Sequence, residues 1–408
     1  MFGVRWLERW LGCLLALTLC SSSSARMSTA RETKPPCGYT AEEEPPSYCV
    51  VVHDVGRMKL ALHDRAWLGV IYLGFAATDC FTGKAVILPC EYPKGSLQSY
   101  LFAGSYWIGA VVGNDTLVST GIDSWDQIRG QELNPDEWPL GRFRHRSIMD
   151  PDADEYIGAV SEEDYLNTFT DTVTEGVPGD YFYNRPHIPL GIEIRQTSMA
   201  WSYGYAEDFI LFDLAIRNIG DNILRNLQLG LYMDPDVGVG GGPIDDDICG
   251  FLRQVASSFG CAFVDTVNVA WAADNDGDPV DGEWVIPPRR DPINGDLIGS
   301  APHVTGTCVL DAPSETRAVS FNWWFSNYNP ALEFGPMRRD NVRDFRTGGI
   351  GSPHGDVNKY YVLSNHEFDY DQAFTAVISP YDERWLYPNQ ELAADWADGF
   401  DTRYLLSY

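Results

Sequence analysis

Positive charge is what this chain has least of. Its 408 residues carry 29 Lys and Arg against 58 Asp and Glu, a formal net charge of −29 at pH 7. Phosphate binding needs clustered Lys and Arg, so a nucleic-acid partner is not expected. Adsorption to an anionic membrane surface is disfavoured for the same reason. Several signatures of chemistry are also missing. There is no GxSxG elbow and no HExxH helix, and the glycine run Gly238 to Gly242 lacks the Lys-Ser/Thr that would make it grip phosphate. No two cysteines stand in a CxxC arrangement, which argues against structural zinc. No long capped amphipathic helix is legible.

What is present is turn-punctuated strand. The 38 Gly and 25 Pro are scattered rather than clustered, and aromatics make up 13% of the chain, a composition of turn-rich β structure rather than disorder. The segment from Glu207 to Asp278 organises the rest. From Phe209 to Asn218, residues Ile210, Phe212, Leu214 and Ile216 share one face by alternation. Past Gly220-Asp221-Asn222, residues Leu227, Leu229, Leu231 and Met233 do the same. The two runs are read as an antiparallel hairpin with one buried face. Further strands are expected at Leu101–Gly104, Trp107–Gly113, Thr116–Ser119, from Leu190, at Ala318–Tyr328 and in the closing TRYLLSY. A short helix is placed around Ser161 to Phe169. The fold class is mainly β, in antiparallel sandwich-like layers with long loops.

The expected organisation is a signal peptide over 1–25, an extended leader over 26–47, an N-terminal β region with a connector over 48–189 and a β-sandwich region over 190–408. Arg5 and Arg9 precede the apolar run Leu11 to Cys20, and Ser23-Ser24-Ala25 offers a small-residue cleavage site. Cys20 could instead be a lipid anchor, but Leu19 is wrong for a lipobox, so secretion or cell-surface location without membrane insertion is preferred. Asn114-Asp115-Thr116 would accept a glycan only in a eukaryotic secretory route. Export makes disulfides expected. Three local pairings suggest themselves: Cys37 with Cys49, Cys80 with Cys90 and Cys249 with Cys261, leaving Cys308 over. TRYLLSY stops in mid-strand, from which a longer protein is expected.

Several separated stretches, among them GSYWIGAVVGNDTLVS, EDFILFDLAIRNIGDNILRNLQLGLYMDPDVG, SFNWWFSN and YYVLSNHEFDYDQ, together resemble large exported bacterial proteins of unassigned function that often end in a sorting, immunoglobulin-like or dockerin-like module. The resemblance spans about Gly56 to Tyr408. It implies β-rich architecture, export and surface display, and carries no activity.

The strongest constellation of chemistry is acidic. Asp234 and Asp236 end one strand-like run, Asp245, Asp246 and Asp247 follow the glycine run, and Asp274, Asp276 and Asp278 end another. Calcium takes six to eight oxygens, and alternate aspartates around a glycine suit a ligating loop. A true EF-hand is not expected, because Pro279 replaces the loop glycine and Val285 the closing glutamate. The competing explanation is that these aspartates merely start solvated turns.

Catalytic readings are weaker. Gln196 to Ala200 is similar to the nucleophile segment of subtilisin-type proteases, but Gln196 stands where glycine is wanted and His354 follows Ser198 in the wrong order. His53-Asp54 and His63-Asp64 are read as ordinary surface or turn residues. A glycosidase pair would be sought first among Glu367, Asp369 and Asp371. Trp323-Trp324 is expected to put one ring in the core. The leading expectation is a non-catalytic extracellular structural or binding module with calcium-ordered acidic loops and a carbohydrate or cell-surface partner. The alternative is a carbohydrate-active hydrolase or lyase.

Overall fold

Runs of alternating residues become strands almost wherever they occur, but their partners are often not their neighbours in sequence. The computed structural model describes residues 49–408 except 70–76, 87–89, 124–130, 136–142, 152, 154–156, 178, 181, 240–245, 258–263, 276–288, 291–296, 299–300, 314–317, 326–334 and 344–351. The expected signal peptide and leader lie outside the described residues. Strands account for 44% and helices for 9%, in several mostly antiparallel sheets with no closed barrel among the described residues, so the chain is mainly β. No described helix is long and apolar enough to cross a membrane.

The strands used below are numbered in chain order: β1 Cys49–His53, β2 Lys59–His63, β3 Trp67–Leu68, β4 Ala103–Val112, β5 Asp115–Thr120, β6 Glu163–Thr170, β7 Ile192–Ala200, β8 Leu211–Asn218, β9 Leu224–Asp234, β10 Asp247–Ala256, β11 Val264–Asp274, β12 Ser320–Phe325 and β13 Thr402–Ser407. The large sheet runs β12-β13-β9-β4-β3-β2-β1, with β5 sharing an edge of β4 and short strands continuing beyond β1. A second sheet holds β6-β7-β8, and a third holds β10-β11 with Thr305–Thr307. Strands from before and after Leu190 thus lie side by side, since β4 pairs with β9 from Ala103↔Asp234 to Val112↔Leu224.

The expected hairpin is corrected here. Both of its runs are strands, and Phe212, Leu214 and Ile216 do pack against the core as their alternation requires. But β8 pairs with β7 in the second sheet, whereas β9 pairs with β4 and β13 in the large one. The turn between them crosses from one layer to the other. Alternation marks a strand with one apolar face and is silent about which edge it joins. The helix placed around Ser161 to Phe169 is likewise β6, whose residues pair along their whole length with β7.

The large sheet is buried on both faces. Tyr106, Ile108, Leu231, Met233, Phe321, Trp323, Tyr404 and Leu406 face the second and third sheets in one core. Their chain neighbours Trp107, Tyr232, Trp324 and Leu405 face the opposite way into a second core with Val362 and Leu363 of helix α1, Gly355–Ser364. So both rings of the Trp323-Trp324 pair are fully buried, one on each side, where one had been expected. Gly230 makes this possible on the helical side. A Cβ there would lie 2.5 Å from Leu363 Cδ2 and 2.9 Å from Leu405 Cδ1, so only a bare backbone lets α1 come this close.

Ionic groups complete the seat of α1. Lys359 pairs with Asp123, Arg185 bridges Asp115, Asp180 and Asp356, and His187 Nδ1 lies 3.2 Å from Glu132. Burial and the nearby Glu132 push the Asp356 carboxyl up to about 7, with Asp180 adding to this and Lys359 and Arg185 opposing it. Because that value lies above the ordinary one, the folded protein takes up a proton first. The group's stabilising contribution is complete below about 4 and is lost as pH rises through about 7. Asp356→Asn, measured by denaturant unfolding, is therefore expected to match the parent near pH 4. At pH 8 it should exceed the parent by up to a few kcal/mol. Lower stability of the variant at pH 8 would mean that the Arg185 pair outweighs burial.

The disulfide pairing is corrected as well. Cys49 is bonded to Cys80, and Cys90, Cys249 and Cys308 are thiols. The strand Ala77–Asp79 runs parallel to β1, with Cys49 opposite Thr78, and this long-range pairing brings Cys80 alongside. Cys37 and Cys261 lie outside the described residues.

Candidate metal centre

Strand ends build the acidic site. β9 finishes at Asp234, Asp236 follows in a left-handed conformation at φ 40°, and Asp401 immediately precedes β13. Because β9 and β13 pair up to Met233↔Tyr404, the next residue on each strand brings Asp234 beside Arg403. The result is a trio, Asp234, Asp236 and Asp401, each offering a carboxylate oxygen, with these oxygens all within 4.8 Å of one another. Asp234 is buried and the other two are half-buried.

Arg403 ties two of the three together. Its guanidinium is 3.1 Å from Asp234 Oδ2 and 3.0 Å from Asp401 Oδ1, and its Nε donates to Tyr232 Oη at 3.1 Å. Burial works against its charge, but Asp234 and Asp401 outweigh that and raise its pKa well above the usual range. Asp234 experiences the reverse: burial raises its pKa, and Arg403 only partly offsets this. Asp234 Oδ1 is buried and accepts no hydrogen bond among the described residues. With three carboxylates and one guanidinium, this group of four is two charges negative when ionised. Such a donor set can hold a metal ion.

A second tier of acid lies beside it. Asp247 opens β10 opposite Asp274 at the end of β11, and its carboxylate accepts from Val237 N at 3.0 and 3.1 Å. Burial, then the neighbouring Asp236, pushes the Asp247 pKa far up. The Asp247 carbonyl oxygen accepts from Phe400 N at 3.0 Å, fastening β10 to the residue before Asp401. Asp246 accepts from Asn275 N through its backbone carbonyl at 3.1 Å, and Asp274 accepts from Ala301 N through its side chain.

Of the aspartates picked out in the sequence, Asp234 and Asp236 are brought into one cluster. Asp246 and Asp274 lie on the adjoining strand ends but are not members of the trio. Asp245, Asp276 and Asp278 lie outside the described residues. Asp401 was missed. Nothing near it in GFDTRYLLS suggests a ligand, and only the long-range pairing of β9 with β13 brings it in.

The catalytic candidates turn out to be fasteners. Asp369 Oδ2 accepts from Trp323 N at 3.0 Å and Asp371 Oδ1 from Phe251 N at 2.7 Å, while Glu367 lies 3.6 Å from Arg338. These carboxylates stitch the 367–371 segment to β12 and β10. His53 and His63 are corrected from surface or turn residues to buried ones, at 0% and 6% exposure. Ser198 does meet a histidine, though not His354, which is the residue before α1. Its Oγ is 2.7 Å from His53 Nε2, and His53 Nδ1 is 2.9 Å from Glu163 Oε2. The spacing is that of a nucleophile, base and acid, but Ser198 and His53 are both sealed between the large and second sheets at 0% exposure. No substrate carbonyl reaches Ser198 there. No family model, no curated protein and no solved structure matches the chain.

Proposed function

We propose that the chain is an exported, non-catalytic structural or binding module whose acidic strand ends are ordered by calcium. The observation that supports this most is the Asp234, Asp236 and Asp401 trio, with carboxylate oxygens within 4.8 Å of one another. An oxygen-only donor set suits a hard cation, and zinc would want nitrogen or sulfur as well. Calcium tolerates irregular geometry and six to eight ligands, so backbone carbonyls and water complete the shell that three side chains begin. The ion would balance the two negative charges left after Arg403 is counted. It would also remove the cost of keeping Asp234 ionised while buried. The disulfide between Cys49 and Cys80 fits an oxidising compartment.

Thermal unfolding with calcium and with chelator tests the reading. At a calcium concentration 100 times Kd the gain is about 2.7 kcal/mol, equivalent to a melting temperature about 2–4 °C higher for a chain of this size. Asp401→Asn and Asp236→Asn should each shrink that shift. A melting temperature indifferent to saturating calcium, in the parent protein, would overturn the proposal.

A further inference from the structure

The loop joining β7 to β8 runs WSYGYAEDF and holds four aromatic rings within nine residues. Tyr205 is 82% exposed, and Tyr203 and Phe209 are also exposed, at 39% and 41%. Tyr203 and Tyr205 stack on each other, with centroids 5.6 Å apart and planes 22° from parallel, and Trp201 meets Phe209 at 6.3 Å. Large rings left in water cost the protein solubility, and a group of them marks a surface that meets something.

The loop is also rigidly held. Ala206 is buried beneath it, and the Ala206 and Glu207 backbone N–H groups both donate to the Tyr203 carbonyl, at 2.7 and 2.8 Å. The Glu207 carbonyl accepts from Arg57 N at 2.8 Å, and Ser202 N donates to Glu162 Oε2 at 2.6 Å. Gly56 sits so close that a Cβ there would lie 2.6 Å from the Glu207 carbonyl oxygen. A loop fixed in this way presents its rings without losing conformational freedom when a partner arrives.

Polar groups flank the rings. Asp208 pairs with Arg57 at 3.1 Å and accepts from Tyr92 Oη at 2.9 Å, and both members of the ion pair are about half exposed. The Arg57 guanidinium lies over the Tyr92 ring at 5.1 Å. The site therefore offers flat apolar faces beside a fixed donor and a fixed acceptor.

We infer that this loop binds a neutral polysaccharide, with Tyr203 and Tyr205 stacking on pyranose rings and Arg57 and Asp208 hydrogen-bonding their hydroxyls. Sugar rings combine an apolar C–H face with a rim of hydroxyls, which matches this pairing of aromatic face and mixed donor and acceptor. Charge selects a neutral glycan: Glu162, Glu207 and Asp208 surround the rings and the chain carries −29 overall, so acidic glycans and anionic lipid are repelled. The inference deepens the binding-module reading and rests on it, but uses none of the residues of the acidic trio.

Affinity electrophoresis and calorimetry with cellohexaose, xylohexaose and chitohexaose test it, with hexagalacturonate and anionic phospholipid vesicles as controls. The intact protein should bind at least one neutral hexasaccharide and neither control. Tyr205→Ala should weaken that binding at least tenfold, while Tyr205→Phe, which keeps the ring, should stay within about threefold. Unchanged melting temperatures would show that both variants fold. Binding to none of the three neutral sugars, preference for a control, or indifference to Tyr205→Ala would overturn the inference. Repeating the titration with Asp401→Asn separates the two readings. Glycan binding that persists while the calcium response shrinks leaves this inference standing whatever becomes of the metal centre.

Discussion

Arg403→Met is expected to lower stability by about 3–5 kcal/mol and to make what remains strongly dependent on calcium. The guanidinium is 2% exposed and sits between Asp234 and Asp401. Methionine fills most of its volume but leaves the Asp234 carboxylate buried without its ion pair, and that orphaned charge is the main cost. Two comparisons isolate the cause. Adding Asp234→Asn to Arg403→Met should recover part of the loss, because the charge that lost its partner is then absent. Calcium should stabilise Arg403→Met more than the parent, because the ion is then the only compensation for the trio among these groups. Urea titrations of the parent, Arg403→Met and the double variant, with and without calcium, read both effects. If the single and double variants unfold alike, Asp234 carries no charge once Arg403 is gone and an orphaned carboxylate is not the main cost.

A loss of about 2–4 kcal/mol is expected for His53→Leu. His53 spans the gap between β1 of the large sheet and the second sheet, with Nδ1 hydrogen-bonded to Glu163 Oε2 and Nε2 to Ser198 Oγ. Glu163 is itself held by Asp54 N at 3.2 Å and Tyr165 Oη at 3.1 Å, and the His53 and Tyr165 rings lie 4.8 Å apart. Leucine keeps the volume and deletes both bonds, leaving Glu163 Oε2 with the Asp54 N–H and Ser198 Oγ with only a long bond to the Tyr165 carbonyl at 3.4 Å. Ser198→Ala removes only one weakly demanding group and should cost about 1 kcal/mol. A fluorophosphonate reagent should leave the folded protein unlabelled, since the serine hydroxyl is sealed off. Labelling at Ser198, together with wild-type stability for His53→Leu, would turn this structural pin into a catalytic relay.

Although β6 was read as a helix, strands were legible where apolar and polar residues alternate, as in β8 and the first half of β9, and in the largely apolar run of β4. Their partners were not, because any such strand can satisfy any matching edge. The hairpin expectation failed on that point, as did the local disulfides, since only the parallel pairing next to β1 brings Cys80 to Cys49. Helix α1 was hidden for a different reason. The residues it buries include Asp356, Asn358 and Lys359 alongside Val362 and Leu363, so its inward face is half polar and shows no apolar period. The acidic site was half legible. Asp234 and Asp236 announce themselves at a strand end, whereas Asp401 acquires meaning only from a residue more than 160 positions away.

The position of β13 has a consequence for how the molecule is made. β13 lies between β9 and β12, with Gly230↔Ser407 on one side and Ser320↔Ser407 on the other. Until residues 402–407 are in place, two inner edges of the large sheet stand open and the wall beneath Tyr232 and Trp324 is incomplete. Closing the sheet therefore joins segments far apart in sequence, and pairings of such separation slow folding.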